Sequence, residues 1–132
     1  MVKEPKIILV EDEAMSAFYL GLQLRNMGFP AFATYHSGEE ALAKVPSERP
    51  DLLLMDINLS GAINGIDAAR KIKEGLDVGV IFITGYSDPS IRALAEEVKP
   101  VAFLVNPVDL KELRKAILSV VGLKAGDGKP EA

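Results

Sequence analysis

Compact apolar runs alternate along the chain with longer stretches whose apolar residues recur at helical spacing. The runs are Lys6-Ile7-Ile8-Leu9-Val10, the segment from Pro50 through Leu52-Leu53-Leu54-Met55 to Asp56, Gly79-Val80-Ile81-Phe82-Ile83-Thr84, and Val101-Ala102-Phe103-Leu104-Val105. Consecutive large apolar residues cannot all turn from water unless both faces are covered, so each run predicts a strand buried on two sides, as in a parallel sheet flanked by helices. Pro30-Ala31-Phe32-Ala33-Thr34-Tyr35 has a strand's composition with weaker alternation and is taken as the second strand in chain order.

Between the runs the period changes. From Ala14 to Met27, Met15, Phe18, Leu22 and Leu24 mark a helix that Gly28 closes as a C′ residue, with one of Phe18 and Tyr19 expected in the core and the other partly exposed. Ser37-Gly38-Glu39-Glu40 has the spacing of a capping box and opens a helix carrying Ala41, Leu42 and Val45, which Pro46 and Pro50 are expected to end. Leu59 to Gly65 is a glycine-punctuated loop, followed by a helix with Ile66, Ala69, Ile72 and Leu76 on one face. Asp88-Pro89 is a cap followed by proline at the first helical position, and its helix should run to about Val98. A second capping box, Asp109 to Glu112, starts the helix bearing Leu110, Leu113, Ile117 and Val120.

Strand followed by helix, repeated along the chain, predicts α/β architecture with helices on both faces. Right-handed crossovers leave few topologies. The expected fold is a doubly wound five-stranded parallel sheet in the order 2-1-3-4-5, flavodoxin-like. It fills residues 1–122 as one domain, while Leu123 to Ala132, rich in Gly and Lys and without periodicity, is expected to be a disordered tail with no second domain.

Composition narrows the function more than the fold. The 132 residues contain no cysteine, so disulfide and thiol chemistry are excluded. Fifteen basic against nineteen acidic residues give a net charge of −4, which argues against a dedicated nucleic-acid binder. No apolar run has the roughly 20 residues of a membrane span, and Met1-Val2-Lys3-Glu4-Pro5 has no signal-peptide character, so a soluble, cytoplasmic protein is expected.

The chemistry gathers where the strands end. Asp56 stands where the central apolar run leaves the core, and Glu11 and Asp12 follow the first run. In open α/β sheets ligands bind outside the carboxyl ends of the strands, at the point where strand order reverses, and the first and third strands are neighbours there. Convergent carboxylates repel one another, so shared protons or a cation must compensate. An all-oxygen donor set without His or Cys suits a hard ion, and Mg²⁺ fits because it takes one or two carboxylates and keeps a face for phosphate. The backbone carbonyl of Asn58 is placed to add an oxygen, and Thr84 offers a hydroxyl from the fourth strand. This constellation suits phosphoryl transfer to the carboxylate of Asp56. No nucleotide-binding glycine loop is present, so the phosphate is expected from another molecule. The plainer roles are helix capping for Glu11 and Asp12, a backbone-bonded hydroxyl for Thr84, and solvated side chains for His36, Lys111, Arg114 and Lys115.

These residues carry a resemblance. From Lys6 to about Val121 the chain is similar to the receiver domains of two-component response regulators, through Leu9-Val10-Glu11-Asp12-Glu13, Asp51 to Asp56-Ile57-Asn58-Leu59, Gly65, Thr84, and Phe103 to Pro107. The resemblance implies that Asp56 accepts a phosphoryl group from a sensor histidine kinase or a phosphotransfer protein. Asp12 and Asp56 would bind Mg²⁺ directly, Glu11 through water, and the Asn58 carbonyl would complete the protein ligands. It further implies that Thr84 contacts the phosphoryl group, that Phe103 is the aromatic switch, that Asn106-Pro107 is cis, and that the domain signals to a downstream protein rather than turning over substrate.

The departure is Asn106, where the family usually has a lysine that reaches the phosphoryl oxygens. Phe103 lacks the hydroxyl of the commoner tyrosine, and Phe82-Ile83-Thr84-Gly85-Tyr86 resembles an atypical subgroup with a mobile segment there. The leading expectation is a stand-alone receiver whose dimerisation the sequence leaves open. The alternatives are a pseudo-receiver working as a phosphorylation-independent interaction module, which Asn106 favours, and a small Mg²⁺-dependent phosphohydrolase, which Asn58 and the lack of a covering insertion disfavour. Lys111 is the candidate to replace the missing lysine.

Overall fold

A computed structural model describes residues 4–125, with side chains through Val121. Its five strands form one parallel sheet, as the alternation of runs predicted, in the expected order β2-β1-β3-β4-β5. In chain order the elements are β1 (Ile7–Val10), α1 (Ala14–Asn26), β2 (Ala33–Tyr35), α2 (Gly38–Glu48), β3 (Leu52–Asp56), α3 (Gly65–Gly75), β4 (Gly79–Thr84), α4 (Pro89–Glu96), β5 (Ala102–Val105) and α5 (Leu110–Ala125).

Strand side chains alternate between two cores. Ile8, Val10, Leu53, Met55, Val80 and Phe82 face α2, α3 and α4, while Ile7, Leu9, Leu52, Leu54, Ile81 and Ile83 face α1 and α5. The central strands are thus covered on both sides, which is why their sequences show no alternation.

Several local devices match the sequence. Gly28 takes φ +90° after α1, its N–H bonding to the Arg25 carbonyl while Phe29 N–H reaches back to Leu24, a Schellman closure. Ser37 caps α2 by accepting the Glu40 N–H, although the Glu40 carboxylate turns back to the His36 amide, one residue earlier than a standard capping box. Asp88 and Asp109 cap α4 and α5.

Other expectations need correction. The apolar stripe of α1 points outward: Met15, Phe18, Tyr19 and Leu22 are 73, 69, 52 and 42 % exposed, and the buried face is Ala17, Leu20 and Leu24. Both aromatics lie on the surface because the helix packs on the sheet through Ala17, Leu20 and Leu24. Pro46 does not end α2 but lies inside its last turn, where its missing N–H costs one hydrogen bond while the turn is still closed by Arg49 N–H to the Val45 carbonyl at 2.9 Å. The helix stops at Arg49, which adopts the left-handed conformation with φ 51°. Finally, α5 continues to Ala125, past the boundary expected at Gly122, and the rest of the expected tail lies outside the described residues.

The least anchored helix is α4. Ala95 is its one fully buried residue, Ile91 packs partly against the core, and beyond its end Lys73 Nζ donates to the carbonyls of Val98 and Lys99 at 2.8 and 3.2 Å.

Candidate functional site: an acidic cluster at the carboxyl end of the sheet

Register brings the acids together. Val10 pairs with Met55, so Glu11 and Asp56, the next residues on each strand, leave the sheet side by side. Glu11 N–H still bonds to the Tyr35 carbonyl and Ile57 N–H to the Ile83 carbonyl, so ladder bonds hold both positions past the strand ends. Carboxylate oxygens of Glu11, Asp12 and Asp56 all lie within 4.8 Å of one another.

Among the described residues no lysine or arginine ion-pairs with any of the three; the salt bridges are Arg70 with Asp67 and Glu97, and Arg92 with Glu96. Lys111, the candidate surrogate cation, makes none. The electrostatics follow from this crowding. Glu11, only 6 % exposed, has its pKa pushed up to about 7 chiefly by burial, against the pull of the Glu13 amide and with help from Asp56 and Asp12. Asp56 is also raised, first by burial, while the Asn58 amide draws it down. Asp12 is held below the usual carboxylate range because it accepts the Ser60 N–H at 2.9 Å.

A half-buried, all-carboxylate cluster with no internal counter-charge fits a hard divalent cation by the chemistry of its donors. Asn58 lies beside it: its N–H donates to Asp56 Oδ1 at 3.0 Å and its side-chain amide to Thr84 Oγ1 at 3.1 Å. Thr84 is fully buried, and its hydroxyl donates to the Tyr86 carbonyl at 2.7 Å. Gly65 closes the loop from below, where any Cβ would collide with the Asp56 carbonyl oxygen, so only glycine lets α3 start this close to β3. Asn106 is exposed, joined to Thr84 by its backbone N–H at 2.8 Å, and lines a recess with Glu11, Glu13, Met15 and Tyr19. Its bond to Pro107 is cis. Phe103 is half-buried, with the Arg92 guanidinium 4.5 Å from its ring centre.

The model of the response regulator receiver domain family matches residues 7–118. This chain belongs to that family. Receiver domains are signalling domains that typically bind Mg²⁺ at an acidic pocket, and this receiver has such a cluster in Glu11, Asp12 and Asp56. Among curated proteins it is similar to the response regulator ArlR of Staphylococcus aureus, 30 % identical over 116 residues that are 88 % of this chain and 52 % of ArlR. It is also similar to the transcriptional regulatory protein PdtaR of Mycobacterium tuberculosis, 29 % identical over 112 residues, 85 % of this chain and 54 % of PdtaR. The receiver therefore spans about half the length of the curated relatives it matches. Among solved structures, the signal receiver domain of a modulated diguanylate cyclase from Desulfovibrio desulfuricans G20 superposes with a TM-score of 0.85 at 33 % identity, covering 92 % of this chain and 97 % of that one. The N-terminal domain of a response regulator/sensory box/GGDEF protein from Carboxydothermus hydrogenoformans gives 0.81 at 25 % identity, covering 94 and 99 %.

Sequence reasoning missed two contacts around this site. His36, expected to be solvated, is exposed yet has Nδ1 3.0 Å from the Glu11 carbonyl. Glu39 reaches from α2 to the Ala62 amide at 2.9 Å. Neither contact has a local sequence signature, because each joins residues more than twenty positions apart.

Proposed function

We propose that this receiver accepts a phosphoryl group on Asp56 from a phosphohistidine of a sensor kinase or phosphotransfer protein, and signals the change through contacts with another protein. The observation that carries this is the cluster of mutually close carboxylates without an internal cation, at the open end of a receiver sheet. A carboxylate oxygen of Asp56 attacks phosphorus, the bond from phosphorus to the donor imidazole nitrogen breaks, and the imidazole keeps the electron pair. Asp12 and Asp56 would hold Mg²⁺ directly, Glu11 through water, and the Asn58 carbonyl would add the last protein oxygen. The ion would neutralise charge that these acids and the phosphoryl oxygens otherwise crowd together.

The switch would then run through Thr84. Its hydroxyl now serves the Tyr86 carbonyl. Turning it toward a phosphoryl oxygen frees that carbonyl and loosens residues 85–87, next to Phe103 and α4. The exposed stripe Met15, Phe18, Tyr19 and Leu22, spaced to pack against another helix, begins three residues after Asp12 and supports docking of a helical phosphodonor there.

The test is incubation with a small phosphodonor and Mg²⁺, read by intact mass. One phosphate should add to the wild type and none to Asp56→Asn. The neutral Asn106 supports a second account, a pseudo-receiver that binds partners without phosphate; Mg²⁺ binding with no modification by any phosphodonor would establish that account instead.

A further inference from the structure

The connection from β3 to α3, residues 57–64, is held by a regular set of contacts. Its amides at Asn58, Ser60 and Ala62 donate to Asp56 Oδ1 at 3.0 Å, Asp12 Oδ2 at 2.9 Å and Glu39 Oε2 at 2.9 Å. Alternate amides of one loop are thus fastened to carboxylates from β3, the β1–α1 turn and α2. Asp56 and Asp12 belong to the acidic cluster, so a cation bound there shares their oxygens with the loop. Glu39 lies outside the cluster and carries no such second demand.

The surroundings aim Glu39 at the loop. Gly38 packs so tightly on Ile63 that a Cβ there would overlap its side chain, bringing the first turn of α2 against the loop. Gly61 turns the chain beneath Glu39 with φ +106°, and a Cβ at that position would come 3.2 Å from Glu39 Oε1. The neighbouring Glu40 is committed to the His36 amide, so the two acids of this turn divide the work.

We propose that Glu39 is a positioning residue for the cation site: its hydrogen bond to Ala62 holds the loop that carries Asn58 in its binding shape, so that cation binding does not have to order the loop. This rests on the Mg²⁺-dependent function proposed above. The plainer role for an acid in a first helical turn is to offset the helix dipole. That role depends on charge and affects fold stability, whereas positioning depends on a hydrogen-bond acceptor and affects cation affinity.

The experiment is calorimetric titration of MgCl₂ into the wild type, Glu39→Ala and Glu39→Gln, with thermal midpoints and amide exchange of Ser60 and Ala62 measured without the ion. Glu39→Ala should weaken Mg²⁺ binding about fivefold, the change one net hydrogen bond carries, and speed exchange at Ala62 while leaving the core amides protected. Glu39→Gln keeps an acceptor oxygen and should stay within about twofold of the wild type. Unchanged affinity in Glu39→Ala, or equal losses in Ala and Gln variants, overturns the positioning role while leaving the proposed function standing. A wild type that takes up no Mg²⁺ defeats the proposed function, and the positioning role with it.

Discussion

Burying Glu11 beside two other acids should make the cation-free protein lose stability as pH rises. The carboxyl pKa is raised from 4.5 to about 7 in the fold. Between those values the unfolded chain has released the proton and the folded chain retains it. The unfolded state therefore binds fewer protons, and unfolding free energy falls with pH across that window and is flat outside it. At 1.36 kcal/mol per pKa unit the full effect is roughly 3 kcal/mol, a substantial part of a small domain's stability. Asp56 acts in the same direction and Asp12 in the opposite one. The variant Glu11→Gln isolates the buried acid, since it keeps the shape and removes the ionisation. Urea unfolding followed by circular dichroism, at pH 5 and pH 8 with a chelator present, should show the wild type less stable at pH 8 and the variant much less pH-sensitive. At pH 8 the variant should exceed the wild type by about 1 to 2 M in midpoint, for a slope of ~2 kcal/mol per M. Saturating Mg²⁺ should reverse the ordering, because an ion bound to the ionised cluster stabilises only the fold that assembles it. A wild type whose stability climbs between pH 5 and 7 without the ion, or a Glu11→Gln variant no more stable than wild type at pH 8, would refute this electrostatic account.

Other substitutions probe separate parts of the molecule. Gly65→Ala forces a Cβ into the Asp56 carbonyl and should cost about 2–3 kcal/mol in thermal or urea unfolding and displace Asp56; an unchanged midpoint would mean that α3 does not start so close to β3. Phe18→Glu, at an exposed position, should change stability by less than about 0.5 kcal/mol and leave modification by small phosphodonors intact, while slowing transfer from a phosphohistidine protein about tenfold. Equal effects on both donors would remove α1 as the docking surface. Asn106→Lys restores an ammonium at the rim of the cluster and should tighten beryllofluoride binding about fivefold, the value expected of a charge-assisted contact discounted for solvent exposure. No tightening would show that the lysine is dispensable in this chain.

How far the sequence carried depended on whether the signal was local or long-range. Leu52 to Met55 and Val80 to Ile83 are buried on both faces, so the apolar run itself declares the strand, while crossover handedness only narrows the possible strand orders, and the order 2-1-3-4-5 leaned on the family resemblance as well. The convergence of Glu11, Asp12 and Asp56 was legible for the same reason, since Asp56 ends β3 and the other two come just after β1, its neighbour in the sheet. The orientation of α1 was not. Its large residues Met15, Phe18 and Leu22 carry as strong an apolar pattern as the buried Ala17, Leu20 and Leu24, and only tertiary packing decides which stripe faces the sheet. Pro46 misled because proline is judged as a breaker without reference to the turn in which it falls. The contacts of His36 and Glu39 belong to tertiary packing and leave no mark on the residues nearby.

The thin attachment of α4 has a mechanical consequence. Lys73 clamps the far end of this segment by its terminal carbonyls, whereas the near end, at Pro89, follows directly on the Thr84–Tyr86 hydrogen bonds. A lever pinned at the back and resting on Phe103 through Arg92 at the front can pivot while uncovering little apolar surface. Under the proposed phosphoryl switch, turning the one Thr84 hydroxyl would displace the whole of α4 at the surface, where a partner protein would meet it.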